Sequence, residues 1–319
     1  MIMNRIIETI RKSNSIGICF HCNPDGDALG SALALMQGIR ELGKKVYILS
    51  KDKVPSTYEF LPYSIEISGE QFTVKEDTDC VIALDCGNVE RLSANIELSC
   101  KRYTLINIDH HLSNELYGDY NYVDTNASAT GELVYQIMQL MGLKIDKNIA
   151  ICLYTSLVTD TGSFKHSNTT SVTHTIAGDL INTGIDFSEL HRIIFNNKKF
   201  DRIKLYGRVI ENMQLIHNGR TCLMELTKEM LEEFDMEGSD TSDIVSIGTD
   251  IDSAEVVVLI KETDTGIKIS LRSKNKVDVR KVAEEFGGGG HIRASGLSLP
   301  NSLNEAKSII IKAIEKELI

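Results

Sequence analysis

Four short segments of this sequence carry residues able to do metal chemistry. They are His21-Cys-Asn-Pro-Asp25-Gly-Asp27, Asp85 at the end of CVIALDC, Asp109-His110-His111 at the end of YTLINI, and Asp160 in SLVTDTGSF. Asp25, Asp27, Asp85 and Asp160 together bring four negative charges. Crowded into one place, they would repel each other prohibitively without compensation. Two divalent cations would balance them, with His21 and His110 adding neutral nitrogen ligands. Six ligands with one shared carboxylate suit two ions about 3.5–4 Å apart. Mixed oxygen and imidazole donors favour Mn²⁺ over oxygen-seeking Mg²⁺ and over thiolate-bound structural Zn²⁺. Water held by two such ions ionises near neutral pH and is placed for in-line attack on phosphorus. Each residue alone has a plainer reading. Asp27, just before an expected helix, is equally an N-cap.

The elements around these segments explain how they would meet. Residues 16–22, 45–49, 80–86 and 103–108 are short apolar runs rich in Val, Ile and Leu, as expected of strands buried on both faces. Residues 28–42 carry Leu29, Leu33, Met36 and Ile39 on one helical face, and Gly43 closes that helix. Three of the four polar segments stand at the carboxyl ends of strands, where ligands gather on an open parallel sheet. The fourth stands where an apolar helical run ends. The expectation is an α/β domain over residues 1–195, a parallel sheet with helices on both faces. Residues 129–196 are mostly helical in pattern.

A helical connector is expected over residues 196–210, where NNKKFDRIKLYGR is locally basic. Residues 211–319 then read as a smaller α+β domain, with strands near 220–226, 255–261, 266–272 and 296–299 and helices near 228–234, 278–286 and from 303. Within it, Phe286 is followed by four glycines, Gly287, Gly288, Gly289 and Gly290, and then His291. The run serves either as a helix C-cap and turn or as a bare backbone that approaches an anion closely. No Lys-Ser/Thr follows, so it is not a P-loop. His291, and Arg272 at the end of the preceding strand, would then reach a phosphate or base.

Composition bounds the partners. Of 319 residues, 34 are Lys or Arg and 45 are Asp or Glu, giving a net charge of −11. Such a chain is not expected to grip long DNA or RNA through a general positive field. Positive charge is local, at Lys198, Lys199, Arg202 and Lys204 and at Lys274, Lys276, Arg280 and Lys281. These clusters are either solvated helix faces or two patches suited to a few nucleotides. There are no tryptophans, which argues against extended base stacking. No apolar run approaches membrane-spanning length, and the first residues lack the marks of a secretory signal. Seven cysteines, Cys100 among them, fit thiols in a reducing cytoplasm. Cys19 and Cys22 form a C-x-x-C spacing on a strand end, where residues three apart face opposite ways.

Taken together, His21-x-x-x-Asp25-x-Asp27, Asp85, Asp109-His110-His111 and Asp160 resemble the four motifs of the DHH phosphoesterase superfamily. Gly287–His291 is similar to the glycine-histidine signature of the DHH-associated C-terminal domain. The resemblance covers nearly the whole chain. It implies that His21 and Asp25 hold a first metal, that Asp27, His110 and Asp160 hold a second, and that Asp85 bridges them. It further implies that His111 assists the leaving oxygen and that Asp109 orients the metal-binding histidine. Arg272, Gly288, Gly289, Gly290 and His291 would hold substrate from the second domain, across a cleft. His166 would either touch substrate or stand as a surface histidine. The implied cofactor is two Mn²⁺, with Mg²⁺ or Co²⁺ as substitutes. The implied activity is hydrolysis of short oligoribonucleotides to mononucleotides, together with dephosphorylation of 3′-phosphoadenosine 5′-phosphate, in a cytoplasmic enzyme with room for a homodimer. Competing readings are a phosphodiesterase for cyclic dinucleotides or linear pApA and pGpG, a family II inorganic pyrophosphatase, and a nucleotide sensor without turnover. The glycine-histidine signature speaks against the pyrophosphatase, and the complete ligand set against the sensor.

Overall fold

A computed structural model describes residues 2–98, 102–236, 241 and 243–318; Cys100 lies outside them. The chain divides into two compact units, residues 1–197 and 198–319. In the first unit the order is α1 (Ile2–Lys12), β1 (Ser15–Cys19), α2 (Gly26–Arg40), β2 (Lys45–Leu49), β3 (Cys80–Leu84), β4 (Thr104–Asp109), β5 (Tyr120–Val123), α3 (Thr130–Met141), α4 (Lys147–Asp160), α5 (Ser171–Asn182) and α6 (Phe187–Phe195). The five strands form one sheet in the order β2-β1-β3-β4-β5, and every pair in it is parallel.

Alternation along the strands sorts the core into two faces. Ile16, Ile18, Ile48, Ile82, Ile106 and Ile108 share one cluster with buried residues of α1 to α4. Cys19, Leu49, Val81, Ala83 and Leu105 point the other way. The parallel sheet stands as expected, but its helical cover differs from the expected two-sided arrangement. The second face is closed by Val74, Cys86, Leu92, Ala94 and Tyr103, which belong to non-helical segments. The reason is in the connections. Among the described residues, only the β1-to-β2 crossover carries an α-helix, whereas β2–β3 holds two short 3₁₀ turns and β3–β4 one.

α2 is buried all round from Gly26 to Ile39, as a helix inside a core must be. α4 packs on it closely because two glycines leave room. A Cβ at Gly30 would come within 2.4 Å of the Cys152 carbonyl oxygen, and one at Gly26 within 2.5 Å of the Thr159 side chain. The first strand is shorter than residues 16–22. After Cys19 the chain leaves the sheet, His21 makes a single bridge to Leu92, and Asn23 adopts φ 54°.

The second unit contains α7 (Phe200–Glu211), β6 (Gln214–Ile216), β7 (Thr221–Leu226), α8 (Lys228–Glu233), β8 (Val256–Thr263), β9 (Gly266–Ser273), α9 (Val279–Glu284), β10 (Gly289–His291), β11 (Ala294–Leu299) and α10 (Leu303–Glu317). Its sheet runs β10-β11-β9-β8-β7-β6. The basic segment read as a connector is largely α7, whose Leu205 and Val209 are buried with Cys222, Met224 and Val257 of β7 and β8. The six described cysteines are free thiols. Among the described residues, no helix is long and apolar enough to cross a membrane.

Candidate metal centre

The carboxyl ends of β1, β3 and β4 and the last residue of α4 bring the candidate ligands of the first unit together. His21 and Asp25 follow β1, Asp85 follows β3, His110 follows β4, and Asp160 closes α4. Asp25 is the N-cap of α2. Its Oδ1 accepts the backbone N–H of Asp27 at 3.0 Å and of Ala28 at 3.1 Å. The capping role open to Asp27 therefore falls to Asp25. Asp27 sits in the first turn, 1% exposed. Asp85 takes φ 53°, a left-handed backbone that aspartate tolerates better than most residues. Its N–H still donates to the Ile108 carbonyl at 3.1 Å, so the strand ladder runs up to the turn that presents the carboxylate.

His21 Nε2 lies 3.7 Å from Asp25 Oδ1 and 3.5 Å from Asp85 Oδ2. His110 Nε2 lies 3.7 Å from Asp27 Oδ2, 3.6 Å from Asp85 Oδ1 and 3.6 Å from Asp160 Oδ2. These separations are too long for hydrogen bonds. They suit two donors facing one ion at about 2.0–2.2 Å from each. The groups His21–Asp25–Asp85 and Asp27–His110–Asp160 each present ligand atoms within 4.8 Å of one another, as does Asp85–His110–His111. Asp85 offers a different oxygen to each of the first two.

Three further observations test whether the site fits cations. Both candidate imidazoles have Nδ1 committed to a carbonyl oxygen, His21 to Cys22 at 2.9 Å and His110 to Ala127 at 3.2 Å. A ring nitrogen can face a carbonyl only as a donor, so in the neutral ring Nε2 is the unprotonated nitrogen with the lone pair that can ligate. Asp160 stands at the C-terminus of α4, the end that disfavours an anion. Among the described residues, every ion pair made by Asp25, Asp27, Asp85 or Asp160 is to a histidine.

The electrostatics agree. Burial, together with Asp85 and Asp160, pushes Asp27 well above the usual carboxylate range. Burial, with Asp85 and Asp25 adding to it, raises Asp160 to about 7 although His110 pulls the other way. Burial opposes charge on His21, yet Asp25 and Asp85 outweigh it and lift the ring to about 11. For His110, burial is likewise overcome by Asp160, Asp27 and Asp85, to about 9. The cluster as a whole calls for positive charge at its centre.

Around the ligands lie residues that the sequence did not single out. Thr130 Oγ1 donates to Asp85 Oδ1 at 3.1 Å, and the Thr130 N–H, in the first turn of α3, donates to Asp27 Oδ2 at 2.7 Å. Asn168 Nδ2 lies 3.3 Å from Asp160 Oδ2 and donates to the Ser128 carbonyl at 2.9 Å. Asp109, fully buried, corrects one expectation. Its Oδ1 faces His111 Nδ1 at 2.7 Å and its Oδ2 accepts from Asn114 at 2.6 Å. It orients His111 rather than the ring of His110, which rests on Ala127, because adjacent side chains after a strand diverge. Burial works against charge on His111, but the Asp109 hydrogen bond and Asp85 raise its pKa. His166 is exposed, with Nδ1 3.3 Å from the Asp160 carbonyl.

The remaining predicted residues form a separate group in the second unit. Gly289–His291 is the edge strand β10, and His291 and Arg272 both pair with Ala294 in register. Cross-strand partners share a face, so the two basic side chains stand on one side of the sheet with Ala294 between them. The Arg272 guanidinium, whose pKa is lowered by burial, donates to the Leu271 carbonyl at 2.9 Å. Two of the glycines are demanded by the hairpin itself. A Cβ would come within 2.3 Å of the Gly296 carbonyl oxygen at Gly288, and within 2.5 Å of the Ala294 carbonyl oxygen at Gly290. Gly289 is open. Much of the basic charge is tied up locally. Lys198 and Arg202 pair with Asp243, Lys204 with Asp201, and Arg280 with Asp278 and Glu284.

Residues 15–157 match the model of the DHH family N-terminal domain, and residues 222–318 match the DHHA1 domain. The bifunctional oligoribonuclease and PAP phosphatase NrnA of Bacillus subtilis is 32% identical over 308 residues, covering 96% of this chain and 95% of that protein. The chain belongs to the DHH family. A second relative, the NrnA of Thermus thermophilus, is 30% identical over 318 residues, with 98% and 94% covered. Among solved structures, an exopolyphosphatase-related protein from Bacteroides fragilis superposes with a TM-score of 0.92 at 29% identity, over 99% of this chain and 96% of that one. This DHH protein is accordingly a phosphoesterase, a hydrolase of phosphate esters.

Proposed function

We propose that this DHH phosphoesterase is a two-metal enzyme, with Mn²⁺ as the working ion, that cleaves short oligoribonucleotides to mononucleotides and removes phosphate from 3′-phosphoadenosine 5′-phosphate. The observation that carries the reading is Asp85, whose two oxygens face His21 and His110 separately at 3.5 and 3.6 Å. One carboxylate thus serves two ligand sets, His21–Asp25 and Asp27–His110–Asp160. Bound there, two divalent ions would acidify a water and offset the charge on the phosphate. The chain's own residues do the rest. With Nδ1 held by Asp109, His111 has Nε2 as the atom that can pass a proton to the departing oxygen. Arg272 and His291, in one row of the second sheet, supply an anion-binding group for the substrate. His166, beside Asp160, is a further substrate contact.

The names of the two full-length relatives support the substrate class, and the net charge of −11 supports a small substrate over a long strand. The test incubates purified protein and Mn²⁺ with a labelled RNA dinucleotide, a 24-mer, linear pApA, pyrophosphate and the bisphosphorylated adenosine. Mononucleotides from the dinucleotide and AMP plus phosphate from the bisphosphate are expected. Cleavage of pyrophosphate alone, or binding without products, would overturn the reading.

A further inference from the structure

Asp27 is held far more completely than a single ligand needs, and the manner of holding has a consequence. Its Oδ1 accepts two donors, the Gly131 N–H at 3.0 Å and the Ser156 hydroxyl at 2.6 Å. Its Oδ2 accepts one, the Thr130 N–H at 2.7 Å. A carboxylate has about four lone-pair sites, so three are filled by protein and both on Oδ1 are closed. The open site is on Oδ2, the oxygen 3.7 Å from His110 Nε2. Two of the three donors are backbone groups fixed by the start of α3. The third is a single side-chain hydroxyl.

That hydroxyl has little freedom. Ser156 is fully buried on α4, and the residues facing it are glycines. A Cβ at Gly131 would lie 2.0 Å from Ser156 Oγ, and one at Gly30 would lie 3.1 Å from Ser156 Cβ. The serine therefore fits only because α2 and α3 are bare at these two points. A hydroxyl so confined is worth its space only if its bond matters.

We propose that Ser156 is a positioning residue that makes Asp27 a one-oxygen ligand of the second ion and so discriminates against larger cations. The inference rests on the reading above, that Asp27 ligates metal. With Oδ1 closed, Asp27 adds one donor to Asp85, His110 and Asp160, a count that leaves a six-coordinate ion room for solvent and substrate. Without the Ser156 hydroxyl one of the two sites on Oδ1 opens while the Gly131 N–H keeps the other, and the carboxylate can then chelate through both oxygens. Calcium takes six to eight oxygens and accepts two-oxygen carboxylates readily, whereas small ions demand near-octahedral geometry. Loss of the hydroxyl should thus weaken Mn²⁺ binding while favouring Ca²⁺.

The test titrates Mn²⁺ and Ca²⁺ separately into the full chain by calorimetry, for the unmodified protein, Ser156→Ala and Ser156→Cys, with metal-free melting recorded for each. Ser156→Ala is expected to lower the ratio of Mn²⁺ to Ca²⁺ affinity at one of the two sites by about tenfold or more, the range of outer-shell ligand effects. Ser156→Cys, a weak donor in the same place, should fall between. An unchanged ratio in the alanine variant, including one accompanied by a lower melting temperature, overturns the proposal and marks Ser156 as merely structural. If Ser156→Ala does not fold, the cysteine variant decides by the same ratio. If the unmodified chain binds no pair of Mn²⁺ ions, the metal-centre reading falls and this inference with it. Two ions in the unmodified chain with an unchanged ratio in the variants would sink the inference alone.

Discussion

Replacing Asp85 by asparagine is the most demanding perturbation of the proposed centre. Asparagine has the same shape and tolerates the left-handed backbone at φ 53°, so the turn after β3 survives. What changes is one negative charge and one acceptor oxygen, between His21 at 3.5 Å and His110 at 3.6 Å. Two unit charges 4 Å apart interact by about 4 kcal/mol at an effective dielectric of about 20. At about 1.4 kcal/mol per tenfold, each ion loses roughly three decades of affinity, and a divalent charge makes that a lower bound. Because the carboxylate faces both ligand sets, both Mn²⁺ binding events should weaken in a calorimetric titration. Hydrolysis of an RNA dinucleotide should fall by at least about a thousandfold at Mn²⁺ that saturates the unmodified enzyme. Asp27→Asn, in contrast, should cost one ion chiefly. If Asp85→Asn keeps one Mn²⁺ at unmodified affinity, Asp85 serves a single set and the shared-ligand argument is refuted.

Three other outcomes are expected. His111→Gln should lower kcat by between about 100- and 10,000-fold, the range of a lost proton donor, with two Mn²⁺ ions still bound; loss of an ion would assign His111 to the ligands instead. Arg272→Ala should raise KM for the bisphosphorylated adenosine by about 10–100-fold, from hydrogen bonds to a charged group, without lowering the melting temperature, since it removes a desolvated cation; an unaltered KM would remove Arg272 from substrate binding. Glu255→Gln tests pH linkage in the second unit. Burial favours a raised pKa for Glu255, but the N–H groups of Asn275, Lys276 and Val277 donating to its Oε1 bring it below 4.5. A depressed carboxylate stabilises the fold above its unfolded pKa and ceases to do so as pH falls through the folded value. Denaturant melts should therefore show the variant about 1 kcal/mol weaker at pH 7, after discounting for partial exposure, and the gap should close as pH falls through the depressed folded value; a constant gap would point to packing.

The four candidate segments that the fold brings together stand out in the sequence because each breaks an apolar run at a strand or helix end, where a charged residue has no packing reason to stand. Asp85 after CVIALDC and Asp160 after an apolar helix are of this kind. The residues that hold them were not legible. Thr130 and Gly131 act partly through backbone N–H groups, which no side-chain pattern reports. Ser156 left one faint sign, a small polar residue inside the buried stretch of α4. The partner of Asp109 depended on side-chain direction after β4, which spacing does not give. The helix-free cover of the second face follows from the connections after β2 and β3, where short 3₁₀ turns leave little periodicity to read. β5 and β10 are short edge strands, the first of them half-buried and the second a glycine pair that looks like a turn.

The glycines of α2 bear on how steady the centre can be. Asp27 rides on α2 and Asp160 on α4, and the close approach of those two helices depends on Gly30, which faces the Cys152 backbone, and on Gly26, which faces the Thr159 side chain. Separation of the two carboxylates is thereby inherited from the buried packing of α2 against α4 rather than from the loops that border it. Surrounding loops are free to lengthen, shift or exchange residues to suit a different phosphate ester, while the gauge between these acids stays constant.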